Sequence, residues 1–260
     1  WIGVKFPLEG KKVVGFELKV FSEIKVKSYF LRLPAGFIRA VYFILKIKPD
    51  VTLSFGGFAA FPVVLAAWFF RIPVLIHEQT VNLGLANKLS SFFAKEILLA
   101  KIVGNPVMTQ ICEVEPKTKI GNPSVIFVMG GSRGSERIND AIFTILPKLL
   151  EKYRVIHIVG QSDYKRFEKI DNKNYQAFSF VSPMQIDNLY READVVISRS
   201  GANTVAELMI VKRPAILIPI PWSHLNEQEE NARLAERFGI ARILKQEDLS
   251  GERLWVEIEK

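Results

Sequence analysis

The sequence predicts an α/β protein of two globular domains, and three observations carry that expectation. Short β-branched and aromatic runs alternate with segments of helical periodicity, the pattern of a parallel sheet covered by helices. A chain of 260 residues, 49% of them hydrophobic, is long enough for two cores of ordinary size. The stretch Lys101 to Ser124 is dense in breakers: Gly104-Asn105-Pro106, then Pro116 with Lys117 and Lys119, then Gly121-Asn122-Pro123. Breakers between two α/β runs mark a linker. Domains are therefore expected over 1–110 and 111–260, with a cleft between them where open α/β sheets bind ligands.

Taken in order, the first expected strand is Val13 to Val20, and Ala35 to Ile47 follows as a helix that begins after Pro34. Strand Val51 to Phe55 ends on Gly56-Gly57 and gives way to helix Ala59 to Phe70. The apolar stretch Phe55 to Ile76 has the length of a membrane span, but Gly56, Gly57, Pro62, Arg71 and Pro73 punctuate it into turn, helix, turn and strand. Strand Pro73 to His77, helix Gly84 to Phe93 and strand Glu96 to Ala100 complete the first half. Beyond the linker, strands are expected at Val125 to Met129, Val155 to Val159, Ala177 to Val181, Val195 to Ser198 and Ala215 to Pro219. Helices at Ser135 to Lys152, Met184 to Glu192, Ala202 to Val211 and Asn226 to Phe238 fill the gaps.

Composition excludes several classes of protein. A single cysteine, Cys112, rules out a disulfide framework and points to a reducing compartment, the cytoplasm. With three scattered histidines it forms no metal-ligand cluster, so neither metal nor cofactor is expected. The chain opens at Trp1 with no signal-peptide pattern and reads as a fragment or a processed chain. Residues 1–105 carry 14 Lys/Arg against 6 Asp/Glu, while the remainder holds 21 of each, so the whole net charge of +8 lies in the N-terminal half. Such a half suits an anionic partner: nucleic acid, phospholipid headgroups or a phosphorylated substrate. Nucleic acid is disfavoured, because the aromatic residues cluster with aliphatic ones and no recognition module is visible.

Three strand-to-helix turns share one design: Phe55-Gly56-Gly57, Met129-Gly130-Gly131-Ser132-Arg133-Gly134, and Ser198-Arg199-Ser200-Gly201-Ala202. A strand ending in small residues brings backbone N–H groups and the positive end of the next helix to one point, where an anion can be held. Glycine also simply permits tight turns. None of the three has the dinucleotide-fingerprint spacing or the lysine of a Walker loop. Glu207 lies on the early turns of the helix opened by Gly201, within reach of a ribose diol if the turn holds a phosphate; a favourable charge near a helix N-terminus is the plainer alternative. Gln228 and Asn231 stand one turn apart on a later helix, and paired amides suit a ligand rich in hydroxyl groups.

Beyond these turns the chain carries Trp1-Ile2-Gly3, Lys48-Pro49-Asp50-Val51, His77-Glu78-Gln79, Gly84-Leu85-Ala86-Asn87, Gly104-Asn105-Pro106-Val107 and Thr204 to Glu207. In this order and spacing they resemble the MurG family. Its members move N-acetylglucosamine from UDP onto the lipid-linked muramyl-pentapeptide of peptidoglycan synthesis. The resemblance implies two Rossmann-like domains of the GT-B type and an inverting, metal-independent transfer. It implies further that Ser132 contacts the diphosphate and Val181 offers its backbone to uracil. Ala202, Asn203, Thr204, Val205, Ala206 and Glu207 would wrap ribose and phosphate, and Gln228 would read sugar hydroxyls. Gly131, Arg199, Gly201 and Asn231 join the site as its neighbours. The family's Gly-Gly-Thr-Gly-Gly-His loop, with the catalytic base, would precede Trp1, which leaves His77 as a weak stand-in.

Three positions depart from the family: Thr80 for asparagine, Met108 for arginine and Glu227 for histidine. Both ends of the chain also read as cut. These departures keep two alternatives open, a glycolipid synthase with a diacylglycerol-type acceptor and a catalytically silent UDP-sugar-binding module. Apolar residues from Phe30 to Ile44, with Trp68, Phe69 and Phe70, are flanked by Arg32, Arg39, Lys46, Lys48 and Arg71. That pattern suits an anionic membrane surface, and the expected location is peripheral, on the cytoplasmic face of the cell membrane.

Overall fold

The structure, a computed structural model, describes residues 29–79, 84–99, 104–131, 134–223 and 226–260. The expected strand Val13 to Val20, together with Thr80 and Ser132, lies outside the described residues. The chain divides into two compact units, Trp1–Gly104 and Asn105–Lys260.

In the first unit, helix α1 (Tyr29–Ile47) runs back past Pro34, six residues earlier than the sequence places its start. Pro34 lies inside the helix, where its missing N–H removes one intrahelical hydrogen bond. Ala40 and Ile44 on its inner face are buried against Val63, Val64, Ala66 and Ala67 of helix α2 (Phe61–Phe69). Beneath them lie three parallel strands in the order β1 (Thr52–Ser54), β2 (Val74–Glu78), β3 (Glu96–Leu99). Between β2 and β3, helix α3 (Leu85–Ser90) tightens into a 3₁₀ turn at Ser91–Phe93, within the single helix expected there. Among the described residues no helix is long and apolar enough to cross a membrane.

The second unit holds a six-stranded, wholly parallel sheet: β4 (Ser124–Met129), β5 (Tyr153–Ile158), β6 (Tyr175–Phe178), β7 (Val195–Ser198), β8 (Ala215–Leu217) and β9 (Ala241–Ile243). Their spatial order is β6-β5-β4-β7-β8-β9. Side chains alternate across a strand, so Phe127 and Met129 enter one core while Ile126 and Val128 enter the other. That two-sided burial explains the unbroken apolar runs. One core includes α4 (Thr109–Cys112), α7 (Ile186–Glu192), α8 (Ala202–Val211) and α9 (Glu227–Arg237). The other includes α5 (Glu136–Lys152), α6 (Tyr164–Phe167) and α10 (Gly251–Ile258).

Three details differ from the sequence reading. Val107, Met108 and Ile111 pack into the first of these cores, so residues 105–110 sit with the second unit. Strand β6 starts and ends earlier than Ala177 to Val181, because Phe180 is exposed and the chain leaves the sheet after Phe178. Strand β9 and helix α10 have no counterpart in the sequence reading, nor do the one-turn helices α4 and α6. Strand β9 is three residues with an exposed Arg242 at its centre, and α10 is announced only by Ser250, whose hydroxyl accepts from the Arg253 amide.

Candidate active site

The strand order reverses between β4 and β7, and a crevice opens beyond the carboxyl ends of strands at such a point. Two of the three glycine turns lie there, because β4 leads into Gly130 to Gly134 and β7 leads into Arg199 to Gly201. In the first turn, Gly131 and Gly134 adopt φ of +86° and +79°. A Cβ on Gly134 would collide with the Val159 carbonyl oxygen, and one on Gly130 with the Ser135 backbone nitrogen. Only glycine permits this close approach of loop, helix and neighbouring strand.

The turns present helix N-termini without side-chain caps. Neither Ser135 ahead of α5 nor Gly201 ahead of α8 supplies a capping bond. The first intrahelical bonds run from Asn139 N to Ser135 O and from Val205 N to Gly201 O. Amides before those points lack an intrahelical partner, and in α8 they belong to Gly201, Ala202, Asn203 and Thr204. Val205 and Ala206, by contrast, are buried, and Val205 has its amide engaged in the helix. They shape the site from behind.

Arg199 is buried behind both turns. Its Nε and Nη2 donate to Ser135 Oγ at 3.2 and 2.8 Å, Nη1 to the Ile218 carbonyl at 3.0 Å, and Nη2 to Gln246 at 2.7 Å. Burial lowers its pKa to about 10, so it stays charged at neutral pH. It thereby fixes positive charge beneath the turns while tying β7 to α5.

Glu207 is half-buried, and its Oε2 accepts from the Tyr190 hydroxyl at 2.9 Å. Burial raises the Glu207 pKa, with the tyrosine bond acting against that shift. Tyr190 is fully buried edge-on to Phe127, and its own pKa is pushed well above 10 by burial and by the Glu207 charge. Tyr190 therefore remains a donor that aims the carboxylate. Sequence reasoning missed it, since seventeen residues separate the pair and only the core that α7 and α8 share brings them together.

The later amides divide in role. Asn231 is buried and donates to the Ser200 carbonyl at 3.2 Å, so it braces the β7 turn from below and does not face a ligand. Gln228 accepts from the Ile220 amide at 3.2 Å, and its main-chain carbonyl accepts from Ser200 Oγ at 2.8 Å. Val181 lies after β6 and rests partly buried against the core. Met108 is half-buried in the same core.

In the first unit, the Gly56-Gly57 turn also has positive φ, at +88° and +83°. Glu78 accepts from the Gly84 amide and the Asn87 side chain, both at 2.9 Å. His77 is 1% exposed and its Nε2 lies 3.0 Å from the Gly104 carbonyl. A carbonyl only accepts, so Nε2 carries the proton. A general base must reach the hydroxyl it deprotonates, and a ring this deeply buried offers no open surface for that.

Residues 4–99 match the glycosyltransferase family 28 N-terminal domain and residues 125–260 its C-terminal domain. A UDP-N-acetylglucosamine–N-acetylmuramyl-(pentapeptide) pyrophosphoryl-undecaprenol N-acetylglucosamine transferase of Bacillus cereus is 32% identical, over 94% of this chain and 74% of its own length. The protein of that name from Clostridium kluyveri is 31% identical over 100% of this chain and 82% of its own length. Among solved structures, Acinetobacter baumannii MurG matches 90% of this chain and 71% of its own, with a TM-score of 0.69 and 27% identity. A UDP-GlcNAc 2-epimerase from Methanocaldococcus jannaschii shares the fold, with a TM-score of 0.58 at 13% identity, 90% of this chain and 76% of its own. Two α/β domains of the GT-B type, both glycine turns at the switch point and this set of relatives agree: the chain belongs to glycosyltransferase family 28 and, within it, to the MurG transferases.

Proposed function

We propose that this chain transfers N-acetylglucosamine from UDP-N-acetylglucosamine to N-acetylmuramyl-(pentapeptide) pyrophosphoryl-undecaprenol, with the donor held by residues 105–260. The observation that carries the donor assignment is the meeting, at the sheet's switch point, of two uncapped helix N-termini with the Glu207 carboxylate. Amides of Gly201 to Thr204 and of Gly131 face the diphosphate, and Ser132 is assigned to the same group. Glu207, aimed by Tyr190, accepts from the ribose diol. Val181 meets the base by its backbone, and the Gln228 amide nitrogen faces the sugar.

In the reaction an acceptor hydroxyl oxygen bonds to the anomeric carbon from the face opposite the diphosphate. The bond from that carbon to the phosphate oxygen breaks, its electron pair leaves with UDP, and the hydroxyl proton passes to a base. Negative charge develops on the diphosphate, where helix N-termini and the fixed charge of Arg199 stabilise it.

The acceptor is lipid-linked, and we place the chain on the cytoplasmic membrane surface through its first unit. Ile38, Tyr42 and Leu45 form an exposed stripe on α1, 55% or more accessible, with Lys46 beside Tyr42. Trp68 and Phe69 at the end of α2 are 52% and 67% exposed, next to Arg71. Apolar side chains rimmed by basic ones suit anionic headgroups.

Incubation with UDP-[¹⁴C]N-acetylglucosamine and the lipid-linked acceptor tests the transfer. Label moving into the lipid fraction, abolished by omitting the acceptor, is the expected result. Release of free sugar with none in lipid would contradict it.

A further inference from the structure

Beneath the first glycine turn lies a buried polar chain that the donor contacts do not use. His157 on β5 and Asn139 on α5 are 0% and 1% exposed. His157 Nε2 lies 3.0 Å from Asn139 Oδ1, and Nδ1 lies 3.1 Å from the Tyr175 hydroxyl. The Asn139 amide nitrogen lies 2.9 Å from the Val159 carbonyl and 2.6 Å from Asp163 Oδ2. These contacts admit one consistent assignment. Both oxygens facing the asparagine nitrogen are acceptors, so its Nδ2 donates and its Oδ1 accepts. Nε2 of His157 must then carry the proton, and Nδ1 receives the tyrosine O–H. Burial lowers the His157 pKa to about 3, which keeps the ring neutral in that tautomer.

The Val159 carbonyl is the atom against which Gly134 rests, so close that a Cβ on Gly134 would collide with it. Gly134 in turn closes the turn by donating its amide to Gly131 O at 3.1 Å. A chain of fixed groups thus runs from Tyr175 through His157 and Asn139 to the Val159 carbonyl and on to the glycine turn. Asn139 lies on α5 itself and accepts no role at its surface.

We propose that His157 and Asn139 are positioning residues for the diphosphate turn: through the Val159 carbonyl they set the backbone at Gly134, and with it the donor's phosphate contacts. The proposal rests on the reading that this turn holds the diphosphate. It assigns the pair to the phosphate part of the donor and not to the nucleoside, whose contacts lie beyond β6 and on α8.

The test compares UDP with uridine, which lacks the phosphates, by titration calorimetry on the whole chain. The variants are His157→Met, which removes the donor at similar volume; His157→Gln, whose amide reaches the Nε2 position; and Asn139→Ala. His157→Met and Asn139→Ala should weaken UDP about tenfold, equivalent to ~1.4 kcal/mol, with uridine affinity unchanged and His157→Gln close to wild type. A merely structural role would lower the melting temperature and leave the ratio of UDP to uridine affinity where it was, which overturns the proposal. A wild-type chain that binds neither compound overturns the donor reading, and the proposal with it. Should the variants fail to fold, the wild-type chain still decides by NMR. The Gly134 amide and Asn139 side-chain amide signals should move with UDP and stay with uridine, and signals indifferent to both would sink the idea.

Discussion

The two units are made of the same elements and treat their surfaces differently. Residues 105–260 cover both faces of a six-stranded sheet and use balanced charge, 21 basic against 21 acidic residues over 106–260. In the first unit the described residues form one core cluster, and large apolar side chains such as Ile38, Tyr42, Trp68 and Phe69 are left in contact with solvent on a chain half bearing the net positive charge. A sheet buried on both faces can fix a strand-end crevice to within the tolerance a nucleotide needs. Apolar side chains held at the surface cost solvation unless something covers them. The contrast sets the proposed donor site on a sheet buried on both faces and the proposed lipid surface on exposed apolar side chains.

The sharpest way to break the comparison is through the two glycine turns, whose backbones look alike. Gly134→Ala should cost roughly 2–4 kcal/mol, combining left-handed backbone strain with overpacking against the Val159 carbonyl. Gly57→Ala, with similar φ but nothing near its Cβ, should cost only about 1–2 kcal/mol, the backbone strain alone. Chemical denaturation of both variants measures the difference; equal costs would mean that Gly134 is not held against β5.

Next in size is the carboxylate. Glu207→Ala should weaken UDP by about 1–3 kcal/mol, the loss expected for charge-assisted hydrogen bonds to a ribose diol. Tyr190→Phe, which releases the carboxylate without removing it, should cost less UDP affinity, about 0.5–1.5 kcal/mol. Calorimetry distinguishes the two, and unchanged affinity in Glu207→Ala removes the ribose role.

His157, buried in the second unit, predicts a pH slope in stability. His157 has a folded pKa of about 3 against 6.5 when free, so the unfolded chain binds one more proton between those values. Its contribution is full above pH 6.5 and is lost as pH falls, at ~1.4 kcal/mol per unit, until the folded ring also protonates near pH 3. His157→Gln should flatten that slope in urea titrations between pH 4 and 6.5; an unaltered slope would place the titrating group elsewhere.

How much of this was legible depended on whether a signal was local. Val195 to Ser198 and Ala202 to Val211 read correctly to the residue, since a branched run followed by a glycine N-cap is written in adjacent positions. The place of Glu207 on the early turns of α8 followed from its spacing, while its ribose role is proposed from the resemblance. Tyr190, Asn139 and His157 did not, because each meets its partner across a strand or helix that only the topology of the sheet brings near. Asn231 was misplaced for a related reason: helical periodicity puts it beside Gln228 but does not reveal that the β7 turn lies underneath. The start of α1 was masked by Pro34, a residue that signals a boundary locally and was overridden.

The smallest effect on stability is expected at the proposed membrane face. Trp68→Ser with Phe69→Ser should change folding free energy by about 0.5 kcal/mol or less, as befits exposed positions. Binding to vesicles containing anionic lipid should nevertheless be lost, and salt should weaken the wild-type interaction without abolishing it. A variant that unfolds would show these rings to be core.

The division of labour between the units is tested most directly by mapping backbone amide signals of the whole chain while UDP is added. Shifts should appear at Gly130 to Gly134, Val181 and Gly201 to Glu207, with residues 29–79 unmoved. Shifts centred on Gly56, Gly57 and His77, with the β4 and β7 turns silent, would contradict donor binding by residues 105–260.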